Sequence, residues 1–490
     1  MTSAAPLPDA PSTSLRQQVR SAVIWRSGSQ IVGQLIAWAS TFLVIRILSP
    51  ADYGLYAMTS VVLLLLSMMN GYGLANAVIQ RPKVTPRLLR QLFGMLIVLN
   101  GGLAVIQFAT APLVAAYYEQ PMVIDLLRLQ ALLYLANPFL ALSYAVLARE
   151  MDFRKQAQAN LAAGVAAALV ALAGALGGLG VWTLVLAPLV GAAVRAAGMT
   201  IAARSFILPS FDFRGAWSMA RYGGVVVLGQ FFWFLQTQAD IVIAGRALDP
   251  HALGIYTTSL FLTLLFVNKF VPPINEVAFS AYARVQDDAE AYAQGFLKSV
   301  RILMLAGVPF SLGLAATAEP VVRVVLGEKW IATAPVIAIV GCAAPFMMLQ
   351  VLFGPAVNAA SRPEIYTRTS LLGALLLPVA YVVGIQWGLI GLALAWVVGY
   401  PLLVALSSLW VLPVLHVSPR ALVEAAAPPV LAGIAMVVAV RLLDHALPGM
   451  APILRLAILV AGGGAIYGAW LIAFARGRLA ELVDLARRKG

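Results

Sequence analysis

Uncharged apolar runs recur along almost the whole chain, and the charged residues gather in the short breaks between them. A helix needs about 20 apolar residues to cross a bilayer's hydrocarbon, and many of these runs exceed that. With 61% of its 490 residues hydrophobic and 11% charged, against about 25% charged in ordinary soluble domains, the chain cannot be a soluble globule. The expected fold is an all-α integral membrane protein. About fourteen spans are read, near 19–47, 53–79, 89–117, 122–148, 155–178, 180–203, 216–245, 252–280, 292–318, 330–359, 365–386, 388–413, 421–443 and 452–475.

The net charge of +13 would suggest nucleic acid as partner in a soluble chain. Here it resolves into topology. Of the 33 Lys and Arg, 24 fall on breaks of one side and seven on the other, an asymmetry that predicts both termini in the cytoplasm, an even number of spans and no nucleic-acid partner. The Pro/Ser/Ala-rich residues 1–15 read as a disordered tail without the basic and short apolar regions of a cleaved signal peptide. Residues 477–490 read as a basic cytoplasmic tail. Cys342 is the single cysteine, so no disulfide is expected.

Comparison of the chain with itself at an offset of 200 aligns VIRILSPADYGLYAMTS (44–60) with AGRALDPHALGIYTTS (244–259). The identical pairs Arg46/Arg246, Leu48/Leu248, Pro50/Pro250, Gly54/Gly254 and Tyr56/Tyr256 spell R-x-L-x-P-x-x-x-G-x-Y twice. Apolar identities arise by chance between membrane segments; this mixed pattern does not. It reads as a duplicated helix–turn–helix. Six crossings separate the copies, so both face the same way, and two parallel six-helix lobes about an axis along the membrane normal are expected. They occupy 16–210 and 211–415, with two extra spans in 416–476.

Arg26 and Lys269 are the basic residues that fall inside spans, where an ionisable group costs at least about 2.5–3.5 kcal/mol at the bilayer centre. Each is expected to face a watery cavity or a partner. Arg26, Gln30 and Gln34 recur at i, i+4 and i+8, one stripe on the first span. Gln230 is the repeat partner of Gln30. Asp240, preceded by Gln236 and Gln238, is an acid within the seventh span, read as a counter-ion to Lys269 or Arg26 or as an ion-coupling group. Asn76 and Glu276 read as interfacial, and Glu319, Glu328 and Lys329 as solvated.

Motifs of catalysis are missing. The sequence has no G-x-x-x-x-G-K-[ST], no H-E-x-x-H and no G-x-S-x-G, and the glycine-rich GALGGLG at 174–180 lies in a span. The three histidines, His251, His416 and His445, are too scattered for a local metal motif. No enzyme chemistry, cofactor or metal is therefore expected. Gly174/Gly178 and Gly464/Gly468 read as close-packing positions.

Five stretches in this order, ILSPADYGLYAMTS, LAREMDFRKQAQANL with the later GGLGVWTLV, QADIVIAGRALDPHALGIYTTS, SAYARVQDDAEAY and AEPVVRVVLGEKW, make nearly all of 16–415 resemble the Wzx-type polysaccharide flippases of the multidrug/oligosaccharidyl-lipid/polysaccharide exporter superfamily. The resemblance implies two six-helix lobes around a central cavity. It also implies alternating-access transfer of undecaprenyl-pyrophosphate-linked oligosaccharide to the periplasmic leaflet of the inner membrane, for exopolysaccharide, capsule or O-antigen. Cationic cavity residues of that superfamily receive the lipid pyrophosphate, and Arg26 lies in a comparable neighbourhood. On this reading Arg26, Lys269, Gln30, Gln34 and Gln230 bind pyrophosphate and sugar, and the partners are the lipid-linked glycan, membrane lipids, a polysaccharide polymerase and glycosyltransferases. Two alternatives stay open: a cation-coupled exporter of small drugs with the same fold, and a non-transporting membrane partner of glycan assembly enzymes.

Overall fold

In the computed structural model, described over residues 15–71, 74, 84–150, 152–213 and 217–474, helices follow one another with short breaks and, among the described residues, there is no strand. The side chains of residues 15–27, 29–31 and 217–230, which include Arg26, Gln30 and Gln230, lie outside that description, as do Asn76 and the two terminal tails. The first part of the chain forms α1 (Leu15–Ile47), α2 (Pro50–Ser67), α3 (Pro86–Tyr118), α4 (Met122–Gln130), α5 (Leu133–Arg149), α6 (Phe153–Leu176) and α7 (Trp182–Ala202). The second part forms α8 (Trp217–Ala247), α9 (Pro250–Thr263), α10 (Leu265–Arg284), α11 (Ala289–Ala316), α12 (Ala318–Val325), α13 (Thr333–Ala359), α14 (Pro363–Gly384) and α15 (Gly388–Val414). Two further helices, α16 (Pro419–His445) and α17 (Pro452–Phe474), close the chain.

Ten stretches among the described residues are long and apolar enough to cross a membrane, or 11 with α9 and α10 taken as one span bent by 41°. One of them, Pro363–Val414, is 52 residues long and holds both α14 and α15, two spans separated by a short 3-10 turn. The long α1 and α8 lie where two more of the fourteen segments were read, and both run through residues whose side chains are not described. The protein is a multi-pass, all-α membrane protein.

The chain divides into two compact units. The first comprises residues 1–47, 62–116 and 120–227, the second 48–61, 117–119 and 228–490. In the first, α6 packs along α1 and α7, and the buried amides of Asn100 and Gln107 are answered from within. Asn100 donates to the Asn70 and Leu96 carbonyls at 3.0 and 2.9 Å, Asn137 donates to Asn100, and Gln107 donates to the Leu127 carbonyl while accepting from the Tyr134 hydroxyl. The segment after α7 is strapped along α3 by Ser210 N–H to the Arg90 carbonyl, Gln91 to the Asp212 carbonyl and an Arg87–Asp212 ion pair.

In the second unit α13 is central, packing against α9, α10, α11 and α15, while α16 and α17 cover α11. Proline inside a helix leaves the carbonyl four residues earlier without its donor, and in an apolar medium that group must be met from elsewhere. Two such carbonyls are met by side chains of neighbouring helices. Pro309 frees Leu305, which accepts from the Tyr467 hydroxyl at 3.0 Å; Pro355 frees Val351, which accepts from Asn275 Nδ2 at 3.4 Å.

Both copies of the repeated turn lie in this second unit, and they cross each other. Ser49 and Asp52 cap α2 reciprocally, and Asp249 caps α9 by accepting from the His251 and Ala252 amides. Each helix then begins with proline and reaches glycine one turn later. A Cβ on Gly54 would coincide with the Pro250 carbonyl, and a Cβ on Gly254 with the Pro50 carbonyl. The glycines of the repeat motif are thus required by a backbone-on-backbone crossing of its own two copies. Among the other small residues, Gly174 does pack, its Cβ position lying 2.9 Å from Thr183 Oγ1. Gly464 and Gly468 do not: nothing lies within 4 Å of either, and the neighbouring Gly463 makes the contact instead, against Val440 and Met436.

Candidate functional site

Four helices of the second unit leave a cleft of about 600 Å³ between them. Trp233 and Gln236 come from α8, and Asn275, Glu276, Phe279 and Ser280 from α10. Opposite stand Gln350 and Asn358 of α13, with Tyr366, Thr369 and Ser370 of α14. Helical spacing explains the α10 set, since 275/276 and 279/280 are one turn apart and share a face. Two glycines make room for the lining. Gly354 lies under the Tyr366 ring, 3.0 Å from where its Cβ would be, and Gly373 lies under the Gln236 carboxamide, at 2.5 Å.

The cleft is rich in acceptors without donors. Asn275 commits Nδ2 to the Val351 carbonyl, which fixes the orientation of the amide, and its Oδ1 is buried with no partner. Gln350 Oε1 is likewise buried and unpartnered. Among the described residues of the lining, Glu276 is the one charged residue, and no Lys or Arg joins it. Aromatic faces beside amides and hydroxyls are what a polyhydroxylated, partly apolar ligand requires.

Asp240 lies on α8 one turn beyond Gln236 and is 1% exposed. Its Oδ2 accepts from the Tyr256 hydroxyl of α9 at 2.8 Å, and that hydroxyl accepts from Trp396 Nε1 of α15, also at 2.8 Å. Trp396 stacks on Tyr400 at 5.0 Å and packs against Tyr381 of α14 at 6.0 Å. Asp240 Oδ1 has no partner. Tyr256 is the tyrosine of the second repeat copy; the first copy has Tyr56 but Ser40 where the second has Asp240, so the carboxyl–tyrosine pair belongs to the second copy.

Lys269 stands on the exposed side of α10. Seven residues, about 10 Å of helical rise, separate it from Glu276, and the two share a helical face. Gln34 is half-buried on α1 in the first unit. The stripe it was expected to complete rests on Arg26 and Gln30, whose side chains lie outside the described residues, as does that of Gln230. Asp240 takes a hydrogen bond from the Tyr256 hydroxyl, not from Lys269. Sequence reasoning passed over Gln350, Asn358, Tyr366, Thr369 and Ser370, and read Glu276 as interfacial without placing it in this lining. The available signal was the polar pair Asn275/Glu276, with Ser280 one turn beyond Glu276.

A bundle of membrane-spanning helices with a polar cleft set into its helices is the architecture of a membrane transporter. The fold agrees: the chain superposes on the lipid II flippase MurJ in an inward closed conformation with a TM-score of 0.76 at 12% identity, covering 93% of this chain and 100% of that one. It also superposes on an inward-facing multidrug resistance transporter of the MATE family, TM-score 0.61 at 15% identity, covering 81% and 98%. Residues 43–335 match the polysaccharide biosynthesis protein family, and the chain belongs to it. Among curated relatives, the succinoglycan biosynthesis transport protein ExoT of Rhizobium meliloti is 24% identical over 91% of this chain and 90% of its own length. The lipopolysaccharide biosynthesis protein WzxC of Escherichia coli is 24% identical over 78% of each chain, and the teichuronic acid biosynthesis protein TuaB of Bacillus subtilis 26% identical over 58% of each.

Proposed function

We propose that this protein is a flippase that carries undecaprenyl-pyrophosphate-linked oligosaccharide from the cytoplasmic to the periplasmic leaflet of a bacterial inner membrane by alternating access, for synthesis of an exopolysaccharide, capsule or O-antigen. The observation that carries the reading is the cleft, where amides, hydroxyls and aromatic rings converge inside a membrane-spanning bundle of a polysaccharide-biosynthesis family member. A glycosylated pyrophosphate cannot shed its hydration in hydrocarbon without replacement hydrogen bonds. The cleft offers them to sugars. Arg26 and Lys269 are proposed to receive the pyrophosphate, Arg bidentately and Lys as a point charge, with Gln30, Gln34 and Gln230 as polar lining, while the polyprenyl tail remains among membrane lipids. Both termini are cytoplasmic in this reading. Glycosyltransferases that build the substrate inside and a polymerase that consumes it outside are the implied partners.

Asp240 is assigned the ion-responsive role rather than that of counter-ion to Lys269, because its bonded neighbour is a tyrosine and one of its oxygens has no donor. The rival reading, export of cationic small molecules, draws on Glu276 beside aromatic rings; the many amides and hydroxyls of the cleft and the family membership favour the glycan. The purified chain in liposomes should flip a lipid-linked oligosaccharide. Arg26→Ala and Lys269→Ala should slow it, and Arg26→Glu should slow it further. Failure of the wild type to flip overturns the function, and unchanged rates in both alanine variants remove the cations from it.

A further inference from the structure

We infer that the cleft between α8, α10, α13 and α14 binds sugar residues of the transported head group and selects uncharged or amine-bearing residues over acidic ones, with Glu276 setting that choice. The inference rests on the flippase reading and goes beyond it by naming the sugar class. Three features of the lining carry it.

The first is the direction of its unmet hydrogen bonds. Asn275 Oδ1 and Gln350 Oε1 are buried acceptors without donors, and the Asn275 amide cannot turn over without releasing the Val351 carbonyl that Pro355 has already deprived of its helical bond. In the first unit Asn100 and Gln107 meet both their donors and their acceptors inside the protein. Beside such acceptors and the amides and hydroxyls of the lining, a ligand that brings O–H or N–H groups is favoured. Sugar hydroxyls do so; a carboxylate or phosphate, which only accepts, does not.

Charge is the second. Among the described residues of the lining Glu276 is the one carboxylate, and no Lys or Arg there offsets it. A uronic acid, or a sugar bearing a carboxylated substituent, would set a second carboxylate against it, and like charges brought together at a binding site are strongly disfavoured.

The third is division of labour along α10. Lys269 shares the helical face of Glu276 about 10 Å away by helical rise, outside the cleft lining. A head group whose anionic end meets the lysine and whose sugars enter the cleft has its charge and its hydroxyls each opposite groups of suitable chemistry.

The test uses the purified full chain and soluble probes: neutral gluco-, galacto- and manno-configured tetrasaccharides and the same sugars with one residue oxidised to the 6-carboxylate, measured by calorimetry. Wild-type protein should bind at least one neutral sugar about tenfold or more tighter than its carboxylated counterpart, a factor that corresponds to about 1.4 kcal/mol. Glu276→Gln should bring the pair to within about threefold, at the same conversion, and Glu276→Asp, which keeps the charge, should retain the preference. Equal binding of the pair by wild type, an unchanged ratio in Glu276→Gln, or binding of neither set overturns the proposal. So does binding of a quaternary ammonium compound in preference to every sugar. Flipping of a lipid-linked oligosaccharide by the same preparation shows whether the transport reading stands when the sugar assignment falls.

Discussion

Replacing Gly254 with alanine puts a single methyl group where α9 crosses α2, and the structure fixes what that methyl meets. Its position coincides with the Pro50 carbonyl and lies 3.0 Å from the Gly54 amide nitrogen, both backbone atoms that no rotamer change can move. The two helices must separate. Overpacking of this kind costs roughly 1–3 kcal/mol, while alanine in a helix gains about 1 kcal/mol over glycine. Gly164, in the middle of α6 with nothing within 4 Å of its Cβ position, supplies a control that gains the propensity term alone. The difference between Gly254→Ala and Gly164→Ala therefore isolates the packing term, roughly 1–3 kcal/mol. Thermal unfolding of the purified variants in detergent should place Gly254→Ala below Gly164→Ala. Because the crossing is reciprocal, Gly54→Ala should match Gly254→Ala, and the double variant should cost less than the sum, since one separation relieves both clashes. Equal midpoints for Gly254→Ala and Gly164→Ala, or full additivity of the two crossing variants, would refute the reasoning.

Tyr256→Phe leaves the Asp240 carboxyl without its hydroxyl donor in a buried site and should destabilise by about 1–3 kcal/mol; in a double-mutant cycle Asp240→Leu should recover part of that loss, and the absence of any coupling would show that the pair does not act together. Gly373→Ala and Gly354→Ala should displace the Gln236 amide and the Tyr366 ring respectively. Both should lower flipping rates in liposomes with an unfolding midpoint close to wild type, and wild-type rates in both would remove the cleft from the transport path.

Much of the architecture was legible in the chain because the bilayer leaves few choices. Segments that are apolar all round must be helices that satisfy their own backbone, so most of the fourteen segments read from the chain fall on helices, although the one read at 53–79 runs past α2, which ends at Ser67. The other exceptions were internal breaks: Ala131 and Leu132 divide α4 from α5, and the 41° bend at Leu264 divides α9 from α10. Neither break carries a glycine or proline, so nothing local announces them. Asp240 was found because a carboxyl in a span stands out against its neighbours. Its partners were not, since Tyr256 and Trp396 are 140 residues apart and each reads as an ordinary amphipathic aromatic.

What the sequence by itself determined is therefore the membrane-spanning helical class, the placement of its segments and the duplicated turn, all set by hydrophobicity and by a pattern repeated within the chain. The reason for the repeated glycine needed the tertiary structure, which shows the two copies crossing through Gly54 and Gly254. The cleft needed it too. Gln236, Glu276, Gln350 and Ser370 are polar residues along largely apolar helices, and one-dimensional spacing cannot say whether such a residue faces lipid, a neighbour or a cavity. Only helix packing gives each side chain a direction, and it is packing that turned scattered amides into one acceptor-rich surface.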